Sequence, residues 1–205
     1  MAYPHQTIYL ASASPRRREL LKQIGVHFEV LLLHMHLSRE GLDETPMPGE
    51  NPRDYVMRLA QAKAEVGNMT FHARRLPAYP VLAADTAVIL DGDIIGKPAN
   101  RVEAESTLTR LAGRSHEVLT AVAMAFDDKV EVTLSASTVE FAPLDLQSIK
   151  RYVASGESHD KAGSYAIQGH AAAFISRLEG SYSGVMGLPL FETVQLLKKF
   201  GIEVV

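Results

Sequence analysis

An α/β fold with a central mixed β-sheet flanked by helices is the architecture this 205-residue sequence predicts, on two observations. Apolar strand-like runs alternate with segments whose apolar residues recur at helical spacing, and Asp-rich pairs sit between neighbouring apolar runs as hairpin turns. Hairpins require antiparallel neighbours, whereas strand–helix–strand alternation favours parallel ones, so the sheet must contain both.

The elements follow in chain order. Residues 7–11 read as a strand, and Ser14 followed by Pro15 opens a helix over 15–23 as N-cap and first helical position. Residues 33–51, with Gly41, Pro46, Pro48 and Gly49, show no periodicity and form a long loop of the kind that is often functional. A helix spans 52–66, and 71–80 is an irregular surface excursion. Residues 81–90 form a strand apolar on both faces, which marks a buried position in the sheet. Asp91-Gly92 turns the chain back through Ile94. A helix covers 101–112, two strands at 118–126 and 130–141 are joined at Asp127-Asp128, and helices at 146–154 and 190–200 complete the chain.

With 46% hydrophobic and 22% charged residues, the chain is long enough for a full core, read as one domain over 1–205 with two lobes. A net charge of -3 and a pI near 6.2 exclude a surface built as a whole for nucleic acid, so any anion is bound locally. The lack of cysteine excludes disulfides, thiol catalysis and thiolate zinc sites. Neither a signal peptide nor a run of roughly 18 apolar residues is evident, so a cytoplasmic protein without membrane partners is expected.

Two places in the sequence contradict ordinary folding preference, and two more bear on them. Three arginines, Arg16, Arg17 and Arg18, occupy a first helical turn whose dipole is already positive. An anion reverses that penalty: the hydroxyls of Ser12 and Ser14, free backbone N–H groups and guanidinium forks make a phosphate cradle, a solvated basic turn being the alternative. Asp85 interrupts a strand that is otherwise apolar on both faces, where a carboxylate needs a partner or a metal, or satisfaction by backbone donors at a bulge. The turn at Asp91-Gly92 returns Lys97 to within a residue or two of Asp85 and Thr86, bringing an acid and a base beside the phosphate-binding helix end. The run from Gly92 through Lys97 to Pro98 is not a P-loop: its spacing is one residue short and proline replaces the Ser or Thr ligand. Glycines recur from Asp160 to Gly169 and from Gly180 to Gly187, where backbone can approach a ligand closely or simply turn. Glu44, Glu50 and Lys63 give no signal of their own, and His34 and His36 have a strand-like metal spacing without a third ligand.

In combination, Ser12-Ala-Ser14-Pro-Arg16-Arg17, Ala84-Asp85-Thr86, Gly96-Lys97-Pro98, Asp160-Lys161-Ala-Gly163 and Ile167-Gln168-Gly169 resemble the Maf nucleotide pyrophosphatases over about residues 10–190. That resemblance implies an elongated Maf/Ham1-like fold, its central mixed sheet flanked by helices with a cleft between two lobes, a divalent metal (Mg2+ or Mn2+), and hydrolysis of a nucleoside triphosphate to monophosphate and pyrophosphate. By motif, it assigns phosphate or substrate binding to Ser12, Arg16, Arg17, Lys63, Lys97 and Lys161. It assigns metal binding to Glu44 and Asp85, and proton acceptance from water to Asp85, with Lys97 and Glu44 also in the catalytic set. Arg16, Thr86 and Gln168 resemble the subgroup acting on dTTP and UTP. The stretch between Phe28 and Glu44 is longer than in that family and carries His34, His36 and Arg39, and Gly184 stands where larger polar residues are common. A nucleotide-binding regulator of cell division without turnover, or a pyrophosphatase of modified purine triphosphates, uses the same phosphate contacts. The sequence leaves a homodimer open.

Overall fold

The fold was analysed in a computed structural model that describes residues 7–33 and 42–204. His34, His36, Arg39 and Gly41, named above, lie outside the described residues. A single sheet organises the chain in the strand order β2-β1-β3-β5-β6-β7, with the short β4 (Asp93–Ile95) on β3. β1 (Thr7–Leu10) lies parallel to β2 (His27–Val30) and to β3 (Val81–Leu90). β3, β5 (Ser115–Phe126), β6 (Lys129–Phe141) and β7 (Ile175–Glu179) run antiparallel in succession. The sheet is therefore mixed, as its hairpins and crossovers require. In the β3–β4 turn Asp91 and Gly92 both take positive φ, the geometry that matches the twist of a two-residue hairpin.

The helices α1 (Pro15–Gln23) and α2 (Pro52–Ala73) bring apolar faces onto the half of the sheet around β1 and β3, together with α6 (Leu190–Lys199). α3 (Arg101–Leu111) and α4 (Leu146–Ala154) pack at the other half against Val88, Val118, Val139 and Phe141. α5 (Tyr182–Met186) is a single turn after β7. Among the described residues, no helix is long and apolar enough to cross a membrane.

Two elements differ from expectation. α2 continues through 71–73, where a surface excursion was expected, because Phe71 is buried and its ring stacks on Tyr9 at 6.0 Å and on Phe126 at 6.4 Å. Packing there overrides the weak helix preference of Gly67, Asn68 and Thr70. β2, β7 and α5 were not foreseen. They are short, and the two strands have mostly partly exposed or exposed positions, so neither shows the alternation that marks a half-buried strand.

The topology leaves a gap where chemistry can sit. β1 pairs with β3 only at Val81 and Leu82, and β4 pairs with it only from Val88 onward. Between them one edge of β3 has no strand beside it among the described residues, while its other edge is paired with β5 from Val81 to Ile89. Asp85 and Thr86 lie in that gap and are the two partly exposed positions in a strand otherwise buried.

Candidate active site

The gap opens into a cleft of about 1830 Å³, lined among others by Ser12, Arg16, Asp85, Lys97, Lys161 and Gln168. It lies beyond the carboxyl end of β1, where open α/β sheets bind ligands, and the N-terminus of α1 faces it.

Ser14 occupies the N-cap position of α1 and Pro15 its first turn, as expected, but the Ser14 side chain makes no capping bond. Instead the Ser12 hydroxyl accepts the N–H of Ser14 at 3.2 Å. The helix end thus keeps backbone N–H groups for an anion. Arg16, beside it, has its Nε buried without a hydrogen-bond partner, an orphaned donor of the kind a phosphate oxygen satisfies. Burial draws its guanidinium below its ordinary pKa, opposed by Glu19 and Tyr152.

Arg17 behaves differently from Arg16. Its Nε donates to the Gly187 carbonyl at 2.8 Å, Nη1 to Ser12 Oγ at 3.2 Å and Nη2 to Thr86 Oγ1 at 3.3 Å. Thr120 gives its one hydroxyl proton to the Gly184 carbonyl at 2.8 Å, so in the 3.0 Å contact between the two threonines it is Thr86 that donates. A continuous chain runs from Arg17 through Thr86 and Thr120 to α5. Thr120 was missed in the sequence, although it is a lone polar residue in the apolar stretch 118–126, the same signal that singled out Asp85.

The hairpin register carries Lys97 toward the level of Thr86, as expected, but the side chain that meets Asp85 is one the sequence did not pair with it: Lys63, whose Nζ lies 2.7 Å from Asp85 Oδ1 and 2.8 Å from Glu44 Oε1. α2 runs antiparallel to β3, so Gly67 meets Val81 where a Cβ would approach Val81 Cγ1 to 2.5 Å, and Lys63, one turn earlier, reaches Asp85. Close helix–sheet contact at the glycine is what brings the ammonium within reach. The β3–β4 ladder ends at Val88 and Ile95, and Lys97 stands beyond it, exposed at the cleft.

Glu44 is placed by two contacts. Its carbonyl accepts the Tyr55 hydroxyl at 2.9 Å, and its carboxylate meets Lys63. Burial opposes its charge, but Lys63, Lys97 and Arg17 together hold its carboxyl below the ordinary value. Glu50 stands apart from the cleft, where its paired oxygens meet Arg58 at 2.6 and 2.7 Å and pin the loop that carries Glu44. The Arg58 bonds, with the Met47 N–H, lower the Glu50 carboxyl to about 2.

Lys161 completes the cationic side. Burial lowers its ammonium below the ordinary value, and the neighbouring charges of Arg16 and Lys97 push the same way while Asp160 and Glu157 oppose them. Arg16 and Lys97 thus both repel Lys161 at the cleft, a cost that a polyanion removes. Gln168 is exposed at the same cleft. Every residue expected at the site therefore lines this one cleft, with Asp85 and Glu44 meeting at Lys63 and with Arg16, Lys97 and Lys161 as its further cations.

A divalent metal fits this donor set only in one way. Among the described residues no three of His, Cys, Asp and Glu come together, so no protein cage of the zinc type exists. Two carboxylates, Glu44 and Asp85, suit a hard cation that takes its other ligands from water and substrate phosphates, the habit of magnesium. The Lys63 ammonium between them shows that the position accepts positive charge.

A protein named dTTP/UTP pyrophosphatase from Nitrosomonas europaea is 54% identical over 198 residues, 96% of each chain. One of the same name from Nitrosospira multiformis is 54% identical over 205 residues, 100% of this chain and 99% of that one. A third, from Burkholderia lata, is 56% identical over 94% of this chain and 92% of its own. The solved Staphylococcus aureus Ham1 protein matches at a TM-score of 0.46 and 17% identity over 66% of this chain and 72% of its own, too loosely to define the fold. The model of the Maf-like protein family matches residues 7–200, nearly the whole length, and with relatives this similar the chain belongs to that family.

Proposed function

We propose that this protein, acting as one domain over 1–205, hydrolyses a pyrimidine nucleoside triphosphate, dTTP or UTP, to the monophosphate and pyrophosphate. The observation that carries the reading is the side-by-side placement of a carboxylate pair and a cation triad in one cleft at the gap of the sheet. A metal–triphosphate has the same arrangement of charge in reverse. The names of the relatives point to the same reaction and bases.

In this reading Arg16, Lys97, Lys161 and the free N–H groups of α1 hold the triphosphate, and Glu44 and Asp85 hold a divalent cation, Mg2+ or Mn2+. When bound, that cation supplies charge neutralisation at the phosphates. Asp85 turns its second oxygen to the attacking water and takes its proton as the water oxygen bonds to the α-phosphorus. The bond from the α-phosphorus to the bridging oxygen breaks, and pyrophosphate leaves against Lys97 and Lys161. Lys63 orients the Asp85 carboxylate, and Arg17 holds Ser12 and Thr86 in place. Gln168 offers a donor and an acceptor to the carbonyl and N–H edge that uracil and thymine share. The Thr86 proton is already given to Thr120, so toward a ligand this hydroxyl only accepts.

Incubation with dTTP, UTP, CTP, GTP and ATP and Mg2+, followed by separation of products, tests the reading. Monophosphate and pyrophosphate in equal amounts, fastest from dTTP and UTP, are expected. Diphosphate and phosphate as products, or binding without turnover, would refute it.

A further inference from the structure

Glu157 lines the cleft and, beyond its charge near Lys161, takes no role in the phosphate chemistry above. Its carboxylate, 19% exposed, accepts the His170 N–H at 2.9 Å and, more weakly, the Ala171 N–H at 3.4 Å. It also meets His170 Nδ1 at 2.9 Å and accepts the hydroxyl of Tyr152 from α4. The Tyr152 oxygen accepts the Ala166 N–H at 3.3 Å. Between those two anchors, Gly169 N–H closes on the Ala166 carbonyl at 3.0 Å. Gln168 is therefore carried on a tight turn whose flanks, Ala166 and His170, are both held by Tyr152 and Glu157. Space is what Gly169 supplies, since a Cβ there would overlap the Glu157 carboxylate.

Burial works against a charge at Glu157, yet the donors from His170, Tyr152 and Ala171 outweigh it and hold the carboxyl below its ordinary value. An ionised carboxylate accepts from all of them at once, and a neutral amide does not. We propose that Glu157 is a positioning residue for nucleobase recognition: it fixes the Gln168 turn at the cleft wall, so discrimination between uracil and cytosine depends on a carboxylate that does not touch the base. This inference rests on the reading of Gln168 given above.

Three variants and two measurements separate the inference from that reading. The ratio of kcat/KM for UTP to that for CTP is the first readout. Both substrates carry the same triphosphate, so a general change of charge in the cleft cancels from it. Gln168→Ala tests the underlying reading alone, and an unchanged ratio in that variant means that Gln168 does not read the base. In Glu157→Ala the ratio is expected to fall by about tenfold, through KM more than kcat, with Glu157→Gln recovering part of it because its oxygen still accepts one N–H. The second readout is amide hydrogen exchange, which needs no substrate. His170 and Ala171 should lose protection in Glu157→Ala while the β3 and β5 amides keep theirs. Retained protection at His170 and Ala171 overturns the inference whatever Gln168 does. A wild-type UTP to CTP ratio in Glu157→Ala, with Gln168→Ala altered, overturns it as well.

Discussion

On the cleft wall built from β1, α1 and β3, the polar side chains other than Arg16 are bonded within the protein: Arg17 to the Gly187 carbonyl, Ser12 and Thr86, and Lys63 to Asp85 and Glu44. On the opposite wall, after β4 and α4, Lys97 and Gln168 project exposed into the cleft from a support of aromatic rings and backbone bonds. His116, Phe141 and Tyr165 pack edge to face at 4.9–5.4 Å beneath it. The first wall is preorganised, with its reorganisation cost met on folding. The second offers side chains that have no hydrogen-bond partner among the described residues, on a rigid mount, so a ligand can engage them without breaking internal bonds.

The largest effect should come from breaking the preorganised wall at its centre. Asp85→Asn keeps the size of the side chain but cannot take a proton, and turnover should fall by about 10²–10⁴-fold with the thermal midpoint little changed. Steady-state kinetics beside a melting curve decide this; a near-wild-type rate removes Asp85 from the reaction.

Arg17→Ala cuts three internal bonds at once and should lower stability by roughly 2–4 kcal/mol as well as activity. Arg17→Lys restores the charge but not the fork, so denaturant titration should show little recovery. Full recovery with lysine would mean that only the charge matters.

Acid should weaken the opposite wall first. His116 is buried, with Nε2 2.8 Å from the Tyr165 hydroxyl, and burial lowers its pKa from 6.5 to about 4. Its contribution to stability is complete above pH 6.5. As pH falls toward about 4 the unfolded chain takes a proton that the folded one refuses, and about 3 kcal/mol is lost. In His116→Phe the dependence of stability on pH across that window should flatten, and an unchanged slope would assign the acid limb to other groups.

The smallest effects sharpen the contrast between Arg16 and Arg17. Arg16→Ala and Lys97→Ala should each reduce turnover by roughly tenfold or more while leaving stability within about 0.5 kcal/mol, because neither side chain has an internal ion pair among the described residues. Loss of stability in either would show that it is bonded within the protein as Arg17 is.

The sequence by itself determined what short-range rules encode. Pro15 at a first helical turn, Asp91-Gly92 in a hairpin and the apolar run interrupted by Asp85 each state their conformation within a few residues, and α1, β3 and α4 fall where those signals put them. The same signals named the basic turn and the buried carboxylate as places of chemistry, because each is unfavourable without a ligand or partner. Tertiary structure alone decided which groups meet. Lys63 finds Asp85 across 22 residues, and Arg17 finds Thr86 across 69 and Gly187 across 170. The Glu157 carboxylate reaches His170 from 13 residues away, out of a turn with no periodicity. No helical or strand period carries such pairings. They arise from the angle at which α2 crosses β3 and from the gap that β1 and β4 leave beside it, and both are fixed by burial of apolar surface over the whole sheet.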